Sequence, residues 1–541
     1  MMKPQIWHRL RQISQILALL LFLYLFVYAT FLDPQRVWAN LFYRLDPLIA
    51  LTASLAGRAW IPGLGLALLT VGATLVFGRV WCGWFCPFGT LLEWFTPRRV
   101  QRQSRRRAPA PAWRSVKYIL LIILVVAALW GNQSLLFLDP LTMMTRTFAV
   151  AIWPAVRVAV YGAESFLYQF DILWGPLDAL RDVVIYPIFR DVVSVFTLSL
   201  PILLLFAGVV ALNWVAERFW CRYLCPLGAL LGLISKFALL RRHVGEGCAA
   251  CALCSGACPT GTIDPHDGYR SDPAECIVCY ECIVACTREG VAFRWHLPRI
   301  LKLSDNIPIW RPAAWHDYDP RRRELLAGTA AAVAGVALAG VEPITQRTPA
   351  HLVRPPGATQ TDFEALCARC GECMRVCPTQ GLQPILFEGG LQNALTPRLV
   401  PRLGYCDYSC NACGEVCPTG AIPRLSLAEK RATPIGLARV DRDRCLPWAY
   451  NISCIVCEEM CPVSHKAIWL HEVETTNARG EAITLQQPYV VKELCIGCGI
   501  CEYQCPMGGE AAIRVFAPTE IGGFFGDDPS IARAGRAVRG G

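Results

Sequence analysis

Twenty-eight cysteines in tight groups constrain this 541-residue chain more than any other feature. Twenty-four fall into six quartets and four into two C-x-x-x-C pairs, so none is left over. Disulfide frameworks belong to small secreted chains whose cores cannot hold them together, and neither the length nor the grouping fits that class. The first quartet is Cys248, Cys251, Cys254 and Cys258, followed by Pro259. Its C-x2-C-x2-C-x3-C-P spacing lets three thiolates wrap one [4Fe–4S] cubane while the fourth reaches a second cluster. The second quartet is Cys276, Cys279, Cys282 and Cys286, with Thr287 in place of the usual proline. The two-cluster rule pairs Cys248, Cys251 and Cys254 with Cys286, and Cys276, Cys279 and Cys282 with Cys258. Zinc modules separate two C-x2-C pairs by a dozen or more residues, which these quartets do not.

Four further quartets follow. Cys367, Cys370, Cys373 and Cys377 keep the ferredoxin spacing, as do Cys495, Cys498, Cys501 and Cys505. Cys406, Cys410, Cys413 and Cys417 widen the first gap by one residue, and Cys445, Cys454, Cys457 and Cys461 widen it to eight. All four end in Cys-Pro, so six clusters are expected; the spacing does not say whether the first of these four pairs with the second or the fourth. Buried cubanes pass single electrons with little rearrangement, and a dense row of them makes a wire. The sequence carries no Gly-rich dinucleotide fingerprint, so flavin or nicotinamide chemistry is not indicated.

With 54% apolar and 17% charged residues and a mean hydropathy of +0.36, part of the chain is expected to lie in lipid. Apolar runs at Ile16–Leu32, Trp60–Gly78, Val116–Trp130 and Val195–Val215 approach the length of a crossing, and Pro201 is placed to kink the fourth. Lys3, Arg9 and Arg11 flank the first run, and seven arginines fill Arg98–Arg114 without an acid; Asn132–Val193 is richer in acids. The positive-inside rule then puts the N-terminus, Arg98–Arg114 and Cys248–Cys286 in the cytoplasm and Asn132–Val193 outside. Nucleic acid is not an expected partner despite the net charge of +10, because the arginines sit beside apolar runs. Arg321, Arg322 and Arg323 precede the Ala/Gly-rich run Leu325–Val341. Paired arginines before a mild apolar core resemble a twin-arginine export signal, here a fifth crossing that carries the last four quartets outside. The plainer alternative is a linker helix between two cytoplasmic ferredoxin domains.

The remaining cysteines lie in an internal repeat, "RVWCGWFCPFGTLL" from Arg79 and "RFWCRYLCPLGALL" from Arg218. Residues four apart share one side of a helical turn, and two such hairpins would bring Cys82, Cys86, Cys221 and Cys225 together around a pseudo-twofold axis. Three roles stay open for these redox candidates: thiols packing helix ends, a redox-active dithiol, or ligands of a further metal or cluster. Arg79, Trp81, Arg218 and Trp220 read as interfacial anchors. Glu93, Glu217 and His243 lie near helix ends, where ordinary flank residues are the expectation and proton acceptors the alternative. No catalytic residue is legible.

The membrane part resembles the NapH family of membrane ferredoxins, with four helices, two C-x-x-x-C-P motifs and a cytoplasmic two-cluster domain. From about Arg321 the chain resembles exported NapG/MauM-type ferredoxins with four [4Fe–4S] motifs. The resemblance implies an α-helical membrane bundle of about five crossings plus α+β bacterial-ferredoxin-like domains. It divides the chain into a membrane domain (1–240), a cytoplasmic ferredoxin domain (241–300), a signal and linker (301–345) and a periplasmic four-cluster domain (346–541). It also implies a protein of the bacterial inner membrane, embedded in lipid, that takes electrons from quinol in the quinone pool. A quinol dehydrogenase of this kind would pass them to a periplasmic reductase or cytochrome. An electron-supplying maturation or regulatory role for a respiratory metalloenzyme is the rival.

Overall fold

The computed structural model of the protein describes residues 4–29, 38–97, 111–170, 174–189, 195–288, 290–296, 330, 352–358, 360–386, 388–476, 480, 482–517 and 531–532. The arginines from Arg98 to Arg107, the Arg321–Arg323 cluster and, but for Ala330, the Leu325–Val341 run lie outside the described residues. The chain forms two compact units.

The first unit comprises 1–28, 38–147 and 201–341. Its helices include Pro4–Tyr28, Pro47–Ala56, Ala67–Phe77, Pro87–Trp94, Ser115–Leu129, Pro140–Thr147 and Pro226–Ser235. Gln5–Tyr28, with 24 residues, is long and apolar enough to cross a membrane, whereas Pro62–Phe77, Ser115–Leu129 and Ser199–Trp214 are apolar but shorter. Crossing needs roughly 20 residues. The expected second, third and fourth runs are thus present as shorter apolar helices, because tight turns cut them off. Gly78, at φ 78°, ends Ala67–Phe77, and a 3-10 turn over Leu212–Trp214 ends Ser199–Ala211. Pro201 does not kink its helix, because it falls in the first turn, where no backbone N–H is needed.

One segment departs from the expected division. Pro140–Leu167 is also long and apolar enough to span a membrane, and it runs from the first unit into the second. Phe148–Leu200 belongs with 342–541 and not with the remaining helices.

The ferredoxin-like segment of the first unit is closed by its own ends. Strand Leu240–Val244 pairs antiparallel with Val291–Trp295, from Leu240 opposite Trp295 to Val244 opposite Val291. The second unit repeats this closure, with Leu437–Val440 antiparallel to Ile513–Phe516 around the last two quartets. A long hairpin, Ile468–Thr476 with Ala482–Val491, is inserted between those quartets. The shorter pair Leu382–Pro384 and Pro397–Leu399 stands between the two earlier quartets. Within this unit Gln383 accepts from the Thr197 backbone and donates to the Val195 carbonyl, fastening the helical segment to the quartets.

Candidate iron–sulfur and thiol centre

The quartets fold as loops around cavities. Cys248, Cys251, Cys254 and Cys286 line one of 350 Å³, and Cys258, Cys276, Cys279 and Cys282 line another of 310 Å³. Positive φ at Ala250, Ala252, Val278 and Tyr280 turns the backbone tightly enough to point three sulfurs of each loop inward. In the second unit, Cys377 joins Cys406, Cys410 and Cys413 around 410 Å³, and Cys505 joins Cys445, Cys454 and Cys457 around 380 Å³. The complementary sets meet as well: Cys417 faces Cys367, Cys370 and Cys373, and Cys461 faces Cys495, Cys498 and Cys501. The spacing had left this choice open, and the fold pairs the first of the four quartets with the second and the third with the fourth. The cavities fit a cubane in donor type, four cysteine sulfurs to each. Burial pushes the thiols of Cys276 and Cys282 up to about 12, so at neutral pH they carry protons unless a metal replaces them.

The two C-x-x-x-C-P motifs fold alike. Trp81–Phe85 and Trp220–Leu224 are single π-helical turns, a distortion common at functional positions. Each runs into a helix with proline first, Pro87–Trp94 and Pro226–Ser235. The cysteine before each proline caps the helix: Cys86 Sγ accepts from the Gly89 N–H at 3.4 Å, and Cys225 Sγ from the Gly228 N–H at 3.2 Å. Two arginines cross between the copies. Arg79 lies 4.0 Å from the Cys82 sulfur, with a terminal nitrogen over Gly228; Arg218 donates to the Cys82 carbonyl at 3.0 Å and lies over Gly89. A β-carbon on Gly228 would stand 2.8 Å from Arg79 Nη2, so the motif's glycine clears the way for the other copy's arginine. The four thiols stand close enough for Cys82 to influence Cys86, Cys221 and Cys225.

Arg79, Arg218, Trp81 and Trp220 are therefore buried and are not interfacial anchors, since all four are less than 9% exposed. Glu93 is likewise no free flank residue. Burial alone would raise its carboxyl, but Arg218 at 2.5 Å and Arg11 at 2.6 Å, with Gln15 at 3.1 Å, hold it down at about 2. Glu217 is buried, and His243 is exposed on its strand.

The second quartet's loop is docked on the first of these turns and the helices beside it. Arg79 donates to the Ala274 carbonyl at 2.8 Å, Trp84 Nε1 to the Val278 carbonyl at 3.0 Å, and Arg11 to the Cys279 carbonyl at 3.3 Å. Glu275 is clasped by Lys117 Nζ at 2.6 Å and by Arg79 at 3.4 Å. The turn after Cys258 is held by Arg222 of the other motif on the Thr260 carbonyl at 2.9 Å and by Arg114, before the Ser115–Leu129 helix, on the Gly261 carbonyl at 2.6 Å. Arg11, Arg114, Lys117, Arg222 and Glu275 had no signal in the sequence beyond charge inside or beside apolar runs. Cationic side chains seeking backbone carbonyls need a partner that only the fold supplies.

Loops that bring cysteines together around cavities, in two units of one chain, define an iron–sulfur electron-transfer protein. Residues 59–106 and 198–245 match a 4Fe-4S binding domain, 366–422 a 4Fe-4S dicluster domain and 488–509 a 4Fe-4S binding domain. The first pair of matches contains the C-x-x-x-C-P turns. The chain is 40% identical over 230 residues to the methylamine utilization ferredoxin-type protein MauM of Methylorubrum extorquens, which covers 40% of this chain and 97% of that protein. MauM of Paracoccus denitrificans is 36% identical (40% and 94% covered), and the ferredoxin-type protein NapG of Escherichia coli 38% identical (35% and 80% covered). The chain belongs to this MauM/NapG family of ferredoxin-type proteins. No solved structure matches it.

Proposed function

We propose that the chain is a membrane-bound quinol dehydrogenase in which a NapH-like helical unit is fused to a NapG/MauM-like ferredoxin unit. The observation that carries this reading is the docking of the Ala274–Glu281 loop on the first C-x-x-x-C-P turn and of the Thr260 turn on the second, which seats the two-cluster segment on the turns that carry the motif thiols. Each set of three cysteines with its distant fourth would hold one [4Fe–4S] cluster, six in all. The clusters supply one-electron transfer; the protein's own residues fix their positions and exclude water.

Membrane insertion is supported by the apolar belt of the helical unit, where Leu17, Leu20, Leu68, Leu69 and Leu204 are each more than half exposed. Charge bias assigns Asn132–Val193 to the outside, and most of that segment packs with the last four quartets. That agrees with export of the second unit through the arginine-led run Arg321–Val341, and with a periplasmic reductase or cytochrome as electron acceptor.

The test is anaerobic addition of a menaquinol or ubiquinol analogue to the detergent-purified protein, followed by EPR and visible iron–sulfur absorbance. Rapid cluster reduction is expected. Failure of quinol in a preparation that dithionite reduces would overturn the quinol assignment and favour the maturation role.

A further inference from the structure

The internal repeat extends beyond the cysteine motifs. Leu45-Asp46-Pro47-Leu48 with Thr52 recurs as Leu138-Asp139-Pro140-Leu141 with Thr145, each copy lying before its own C-x-x-x-C-P motif. The copies fold the same way. Asp46 caps Pro47–Ala56 by accepting from Leu48 N–H at 2.8 Å and Ile49 N–H at 3.3 Å. Asp139 caps Pro140–Thr147 by accepting from Leu141 N–H and Thr142 N–H, both at 3.0 Å.

Each aspartate spends one oxygen on its cap, and the other oxygens, Asp46 Oδ2 and Asp139 Oδ1, make no hydrogen bond of good geometry, the Thr142 hydroxyl being the polar group beside Asp139. Both residues are 0% exposed, and among the described residues neither forms an ion pair. The two carboxyls lie near enough to interact directly. Two bare carboxylates buried side by side without a cation would repel, and one proton between them removes that conflict. Capping does not explain the pair, because asparagine or serine caps a helix as well without burying a charge. Burial, then Cys221 and Cys82, raise the Cys225 thiol, and Asp139 is near enough to add to this, which places the pair beside the thiol cluster.

We propose that Asp46 and Asp139 hold one shared proton and form the proton-accepting site for quinol oxidation in the helical unit, an inference that rests on the quinol reading above. Oxidation of a quinol breaks two O–H bonds and releases two protons and two electrons. The one-proton pair takes the first proton as a new O–H bond and becomes two neutral acids. It passes a proton on to water before it takes the second, and the electrons leave singly for the electron-transfer chain.

The experiment uses the full chain with Asp46→Asn, Asp139→Asn and both together; asparagine preserves the caps. Infrared spectra of the wild type in H2O and D2O should show a buried protonated carboxyl. Each single variant should lose it, since the remaining carboxylate can accept from the new amide without a proton. Quinol-driven cluster reduction should slow about 100-fold in each single variant, the scale of a lost general base, with the dithionite-reducible cluster content unchanged. Absence of the carboxyl band in the wild type overturns the shared proton. A band with unaltered quinol rates in the variants overturns the acceptor role. A wild type that shows the band but is not reduced by quinol overturns the quinol reading and the acceptor role, and leaves the shared proton standing.

Discussion

Gly83 lies against the backbone carbonyl of Ile277, so that a β-carbon at position 83 would come within 2.1 Å of that oxygen. Gly232, in the helix after the second motif, stands in the same relation to the Ala274 carbonyl, at 2.8 Å. Backbone cannot retreat as a side-chain tip can, so Gly83→Ala should lift the Ala274–Glu281 loop from its seat. Overpacking of this kind costs about 1–3 kcal/mol. The expected result is a lower thermal midpoint and faster proteolysis within 270–285. Gly72→Ala is the control: a β-carbon there meets nothing within 4 Å, and the change should be neutral or slightly stabilising.

Glu93 answers two buried cations, Arg11 and Arg218. Glu93→Gln leaves Arg218 without a counter-charge and Arg11 with Glu281 alone, and should cost about 3 kcal/mol at neutral pH, as breaking a buried pair does. Its carboxyl falls from the usual 4.5 to about 2 in the folded chain. A depressed value contributes stability above 4.5 that is lost as pH falls toward 2. The gap between wild-type and variant denaturation midpoints should therefore be constant from pH 8 to 6 and narrow below pH 4.5. A gap that persists unchanged at pH 3.5 would mean that packing, and not charge, is what Glu93 provides.

The cysteine pairing of the second unit can be read from iron content. Cys417→Ala should remove one cluster, about four irons. Adding Cys367→Ala should remove no more, since both face one cavity, whereas adding Cys406→Ala should remove a second cluster. The opposite pattern, with the double change at 417 and 406 equal to the single, would reassign the partners.

The quartets and the paired motifs were legible because thiolate spacing is a local property: a three-residue gap brings sulfurs to one loop whatever surrounds it. The partner of each fourth cysteine in the second unit was not, because that choice depends on how distant loops pack around Val353, Leu399 and Leu437. The arginines misread as surface anchors show the same limit. Arg79 and Arg218 precede Trp and Cys at helix ends, where charge usually meets water or headgroups, and only the fold gives them a buried carbonyl and carboxylate, Ala274 and Glu275 for Arg79 and Cys82 and Glu93 for Arg218. Asp46 and Asp139 did leave a signal, the repeated Leu-Asp-Pro-Leu, but it is short and stands 36 residues before one cysteine motif and 82 before the other. The insertion of Phe148–Leu200 into the second copy hides the match.

The role of the repeated thiols is the sharpest remaining test. Cys86 and Cys225 cap helices through their sulfurs, while Cys82 and Cys221 have no such duty and lie by the crossed arginines. At Cys221 burial favours the thiol and the Arg218 guanidinium opposes it, and neither sulfur is tied up in a helix cap, which leaves both free for electron exchange. Cys82→Ser and Cys221→Ser should therefore slow quinol-driven cluster reduction while leaving iron per protein and the thermal midpoint near wild type. Cys86→Ala and Cys225→Ala should destabilise the fold by about 1 kcal/mol each through the lost cap, read as a lower thermal midpoint. If iron falls instead in the Cys82 and Cys221 variants, the four thiols hold a further cluster. If neither iron nor rate moves, they only pack the helix ends.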